Sequence, residues 1–139
     1  MFERDLVTLF EGAGGGTFGT DLIAGSAAPV PSGVGPITGI RGTSGLKAER
    51  THNHVQPSSR RPSGQVRVRA GDADDLSGLE RAMARAWVLY AACQAVKNIE
   101  VNGTYYIEIE PQQEPFDLGA VDSEGRASVV FNILGRTSL

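Results

Sequence analysis

Residues 98–134, NIEVNGTYYIEIEPQQEPFDLGAVDSEGRASVVFNIL, form a turn-punctuated β run, which confines the chain to folds built around an antiparallel sheet. Asn102-Gly103 is the dipeptide selected by a two-residue type I′ turn, because both central residues need a positive φ. It joins 99–101 to 104–110 as a hairpin. On the longer arm, strict alternation sends Tyr105, Ile107 and Ile109 to one face and Tyr106, Glu108 and Glu110 to the other. Pro111 ends that arm. A second tight turn, Asp122 to Gly125, then reverses the chain into its longest strand, 126–134. There Ala127, Val129, Phe131 and Ile133 alternate with Ser128, Val130 and Asn132.

Three further stretches carry a regular period. QVRVRA (65–70) places Val66 and Val68 on one face and Arg67 and Arg69 on the other, as a half-buried strand does. Gly71 and Asp72 break it, and Asp72, Asp74 and Asp75 stand where the positive end of a helix dipole favours acids. A helix is predicted over 75–97, with Leu79, Met83, Ala86, Tyr90 and Cys93 as its core face and Trp87 on the flank. Its many alanines raise helix propensity and permit close approach to a sheet. At the start, Phe2, Leu6, Leu9 and Phe10 make the stripe of a second amphipathic helix, which Gly12 stops.

The connections between these elements are long. Residues 13–36 are rich in Gly, Ala, Ser and Pro, with Phe18, Leu22 and Ile23 as apolar anchors, and a short strand is expected between Pro36 and Gly42. Residues 43–64 are polar and basic without a period, and read as a second irregular loop. That loop is expected to order only on assembly, with Arg60 and Arg61 meeting acidic partners. The expected fold is therefore α+β. An antiparallel sheet carries the N-terminal helix and one long central helix on one face, plus a β-hairpin, in a single domain spanning 1–139.

Length and charge agree with one ordinary core and narrow the partners. A chain of 139 residues is long enough to bury most of its apolar surface without staples. Thirteen basic against 16 acidic residues give a net charge of −3, so a DNA-grasping module is not expected. One cysteine, Cys93, allows no internal disulfide, and no basic leader with an apolar stretch opens the chain, so a reducing interior is expected. No apolar run approaches the roughly 20 residues that span a bilayer, so no membrane partner is expected.

Candidate chemistry is sparse. Gly14-Gly15-Gly16-Thr17-Phe18-Gly19 matches GxGxxG, but a dinucleotide site needs a strand before it and a helix after it, and here a helix precedes and a loop follows. His52 and His54 have metal-like spacing, yet Cys93, the other soft ligand, belongs to a helical core stripe. That stripe also argues against Cys93 as a nucleophile. Glu108 and Glu110 share a strand face and read as its solvated side rather than as an acid and base pair. No catalytic residue, metal or cofactor is expected.

The order and spacing of these segments resemble the tail terminator (minor capsid, tail-completion) proteins of long-tailed bacteriophages. The likeness rests on the N-terminal amphipathic helix, the Gly/Pro-rich connection, the strand ending in VRVRA and the long helix. It continues through the NGTYYIEIEPQQEPFDLG hairpin, the acidic DSEGR turn and the final VVFNI strand. It spans nearly the whole chain and is densest over 65–133. The resemblance implies a structural virion protein of the tail or neck, assembled in the host cytoplasm as a hexameric ring. Such a ring caps the tail tube, stops its polymerisation and offers a surface for joining the head.

The implied partners are identical subunits, the tail-tube protein and a head-completion or stopper protein. Viral double-stranded DNA would pass the lumen without specific binding, in a ring whose net charge is about −18 (six times −3). For the contacts, the irregular segment with Gln113, Glu114, Pro115, Phe116, Leu118 and Gly119 is the expected interface, because large apolar groups there lie outside a regular element. Another connector component, an adaptor or stopper, fits the same size and logic. A small-ligand-binding α+β domain is the rival from a different class, and needs an apolar pocket with convergent polar groups that the sequence does not offer.

Overall fold

The computed structural model describes residues 2–25, 35–50, 57–71, 76–121 and 126–138. In chain order the elements are α1 (Phe2–Gly12), β1 (Leu22–Ala24), β2 (Ile37–Arg50), β3 (Pro57–Arg69), α2 (Leu76–Gln94), β4 (Lys97–Val101), β5 (Thr104–Pro111), β6 (Phe116–Val121) and β7 (Ala127–Ser138). The fold is α+β, as the sequence predicts. Among the described residues the strands form one seven-stranded sheet in the order β1-β2-β3-β7-β5-β4, with β6 also on β7. Its central strand is β7. Val129, Phe131 and Ile133 face the helices, while the opposite flanks pair with β3 on one side and with β5 and β6 on the other.

Both helices pack on one face. Leu6, Val7 and Phe10 of α1 and Ala82, Ala86, Leu89 and Cys93 of α2 close over Ile40, Val66, Val68, Phe131 and Ile109. The buried stripe of α2 lies one residue round from the predicted one. Alanines 82 and 86 occupy its centre, and Leu79, Met83 and Tyr90 flank it, because small side chains let the helix axis come close while larger ones fill the sides. The predicted turn at Asn102-Gly103 forms, with φ of 50° and 84°.

Three expectations are corrected. The sheet is mixed, since β1 runs parallel to β2 through the pairs Leu22/Thr38, Ile23/Gly39 and Ala24/Ile40. Residues 43–50 and 57–64 are not irregular: they are the outer arms of β2 and β3, paired from Thr43/Ser63 to Arg50/Pro57 with register shifts. Backbone hydrogen bonding holds these arms without an apolar period, so side-chain pattern does not reveal them. Arg60 and Arg61 therefore sit on a strand, opposite Thr137 and Leu46 respectively.

Strand β5 also departs from simple alternation. Two steps on β5, Tyr106 to Glu108, lie opposite one step on β7, Thr137 to Arg136, which is a β-bulge at Ile107. The bulge reverses the alternation, so Tyr106 and Ile109 both enter the core while Glu110 faces out. The predicted turn residues Asp122 and Gly125, the acids Asp72, Asp74 and Asp75, and His52 and His54 lie outside the described residues.

Candidate assembly surface

The glycine-rich connection after α1 is tied to the fold by its own acids. Thr17 N donates to Asp21 Oδ1 at 2.6 Å, and Phe18 N donates to Glu11 Oε2 at 3.1 Å. The amides that a nucleotide phosphate would use are thus already held by two carboxylates, whose charge repels an anion. Arg85 of α2 locks the same loop, donating to the Gly15 carbonyl at 2.7 Å and pairing with Asp21 at 3.5 Å. GxGxxG here is a structural clasp.

Gly15 is required by packing. A Cβ on it would overlap Leu89 Cδ2 and lie 3.0 Å from the Phe10 carbonyl oxygen. Gly15→Ala is expected to destabilise the fold by about 1–3 kcal/mol, the usual cost of overpacking. Gly12→Ala, where a Cβ meets nothing within 4 Å, should stay within about 0.5 kcal/mol. Urea titration of the two variants checks the contrast.

Cys93 lies at 0% exposure on the core side of α2, and burial pushes its thiol up to about 12. The thiolate is the reactive form, so an aromatic disulfide reagent at pH near 8 should leave Cys93 unmodified in the folded chain and react fully in denaturant. Fast labelling of the folded protein would contradict this packing. Glu108 is held by Lys97, whose Nζ donates to its Oε2 at 3.3 Å, while Glu110 stands exposed. Among the described residues no cluster of three or more His, Cys, Asp or Glu side chains is arranged to hold a metal.

The expected contact segment divides into fasteners and exposed groups. Gln112 N donates to the Asn132 carbonyl at 2.8 Å and Asn132 N donates to Gln113 Oε1 at 3.3 Å, which stitches the segment to β7. Pro115 is buried. Gln113, half-buried, thus fastens the segment to β7. Glu114 and Gly119 are exposed, and so are Phe116 at 42% and Leu118 at 41%. Phe116 and Leu118 are two of seven large apolar side chains exposed among the described residues, and they share one short strand.

Strand β6 presents these groups through an irregular pairing. Phe116 and Asp117 oppose Val130 and Val129, but the next pair is Val121 with Ala127, so four steps on β6 match two on β7. The extra residues include Gly119, at φ 79°, whose N–H donates to Asp117 Oδ1 at 2.9 Å. This local loop turns Leu118 outward. Arg60 is exposed on β3, and Arg61 is half-buried.

Sequence reasoning missed two arrangements that position this side of the molecule. Asp5, on the apolar face of α1, is 1% exposed and accepts hydrogen bonds from the Tyr106 hydroxyl and from Asn102 Nδ2, the latter at 3.1 Å. Asn102 also donates to Thr8 Oγ1 at 3.0 Å, so the hairpin turn is latched to α1. The signal available was an acid at the third position after Phe2 inside an apolar stripe. The second is the Arg85–Asp21 clasp, for which the sequence holds no local pattern.

No protein-family model and no curated protein matches the chain. One solved structure sharing 16% sequence identity superposes with a TM-score of 0.52, over 99% of this chain and 90% of the other. A likeness at that identity shows the fold alone.

Proposed function

We propose that the chain is a tail terminator of a long-tailed bacteriophage, a structural virion protein and not an enzyme. In this reading its copies close into a hexameric ring on the end of the tail tube, halt tube growth and present the surface on which the head is joined. The observation that carries the reading is the exposed pair Phe116 and Leu118 on β6, outside the core and next to the exposed Glu114. Apolar side chains in that position are covered when a partner docks. The order of elements along the chain, from the amphipathic helix to the VVFNI strand, supports it.

Electron microscopy of purified tail tubes, with and without the chain, tests the proposal. A closed ring at one tube end with growth stopped is the expected result. Tubes that keep growing with bare ends overturn it. A chain that instead binds head connectors and leaves tubes bare belongs to the adaptor or stopper class.

A further inference from the structure

Charge is distributed unevenly across the sheet. Residues 37–69, which include β2 and β3, hold seven arginine and lysine residues against one glutamate, a balance of +6. Residues 97–121, which include β4, β5 and β6, hold one lysine against four glutamates and one aspartate, a balance of −4. Strand β7 separates the two sets, because β3 lies on one of its flanks and β5 and β6 on the other. A chain with a net charge of −3 thus carries a basic half-sheet and an acidic half-sheet.

Each half places two exposed charges on the face without helices, whereas Arg60 and Asp117 lie in phase with the core residues. Arg67 pairs with Gly39, and Arg41 lies two residues beyond, out of phase with the buried Ile40, Val66 and Val68. Glu100 pairs with Tyr105, out of phase with the buried Val101 and Tyr106, and Glu110 pairs with Leu134, out of phase with Ile133. Arg41, Arg67, Glu100 and Glu110 are all exposed, and none has an ion-pair partner among the described residues. The acidic half also exposes Tyr105 at 43% and Phe116 at 42%. Guanidinium groups make forked hydrogen bonds to carboxylates and stack on aromatic rings, so the basic half matches what the acidic half offers.

We infer that the helix-free face is a contact between copies of this chain, in which the basic β2–β3 half of one copy lies on the acidic β4–β5–β6 half of the next. Sheet twist makes the contact head-to-tail. Adjacent strands rotate by roughly 20–25°, so β2 and β4, four steps apart, are turned by about 80–100° relative to each other, and a single flat contact does not span both. Each copy then engages two neighbours, and such heterologous contacts form a ring where the rotation between copies closes. The inference rests on the terminator reading for the size of that ring, whereas the contact itself needs no tail.

The test uses two double variants of the full chain, Arg41→Glu/Arg67→Glu and Glu100→Lys/Glu110→Lys, with Arg41→Ala/Arg67→Ala as a milder partner for the first. Sedimentation velocity and native mass spectrometry follow each alone and the first two mixed, with circular dichroism confirming folding. Wild type is expected to form closed assemblies of more than two copies. These should weaken at least tenfold between about 0.1 M and about 1 M salt, where the screening length falls from about 10 Å to about 3 Å. Each variant alone should associate at least tenfold more weakly than wild type, and the mixture should regain assembly with an even number of copies.

Four results would overturn the inference: assemblies indifferent to both variants, a mixture no better than its components, a two-copy closed dimer, or wild type that stays monomeric even with tail tubes supplied. Tube capping scored in parallel separates this failure from that of the terminator reading. Variants that assemble and cap normally remove the charged contact alone. Salt-sensitive rings that leave tubes growing remove the terminator reading alone.

Discussion

Replacing Phe131 with alanine is expected to lower folding stability by about 3–5 kcal/mol, the range for deleting a buried aromatic side chain. Phe131 is at 0% exposure in the middle of β7 and packs edge-to-face on Tyr90 of α2, with ring centroids 5.8 Å apart and planes at 71°. Its strand cannot move to fill the space. Val130 and Phe131 are registered against Arg67 and Val66 of β3, and Val130 also against Phe116 of β6, so both flanks of β7 are pinned. The lost contacts therefore remain as a cavity beneath α2. A domain of this size typically has about 5–15 kcal/mol of stability, so the loss is a large share of the whole. Urea midpoints would show it, with Trp87→Ala as the contrast. Trp87 is 41% exposed on the outer side of α2, and its removal should cost about 1 kcal/mol or less. Equal losses for the two variants would mean that α2 does not sit over β7 as described.

Phe131 was also visible in the sequence, because a strand with one buried face writes its core in every second residue. The same holds for Val66 and Val68, and for the positive-φ turn at Asn102-Gly103. The period fails where the backbone carries the structure. The outer arms of β2 and β3 are polar strands, and nothing in their side chains separates them from loop. A bulge is equally silent: Tyr106 and Ile109 share the core although simple alternation puts them on opposite faces. The one-residue rotation of α2 has a related origin, since alanine is ambiguous in a pattern of large apolar residues and yet decides how closely a helix packs. At the candidate surface, Phe116 and Leu118 read from sequence equally as interface anchors or as core in an irregular segment, whereas they lie exposed on strand β6, and Gln113 is tied to β7 by a long-range hydrogen bond. Charge segregation needed topology. The basic and acidic segments are visible along the chain, but only the strand order places them on opposite flanks of β7.

Asp5→Ala should destabilise the protein by about 2–4 kcal/mol, because it leaves the Tyr106 hydroxyl and Asn102 Nδ2 without their shared acceptor in or beside the core. Tyr106→Phe removes one donor and should cost about 1–3 kcal/mol. The double variant Asp5→Leu/Tyr106→Phe should cost less than the sum, since an apolar pair leaves no buried polar group unpaired. The same latch gives a pH signature. Burial, and then the hydrogen bond to Asp5 and its negative charge, raise the Tyr106 phenol above its ordinary range. A phenol raised on folding stabilises the native state in its protonated form. Its contribution is complete below the unfolded value near pH 10 and is lost as pH rises through the folded value. Wild-type urea midpoints between about pH 8 and about pH 11 should therefore begin to fall above pH 10 more steeply than those of Tyr106→Phe, in which that proton is absent. Parallel falls in the two proteins would place the hydroxyl in water, and the hairpin turn would then be held to α1 by the bonds of Asn102 to Asp5 and Thr8.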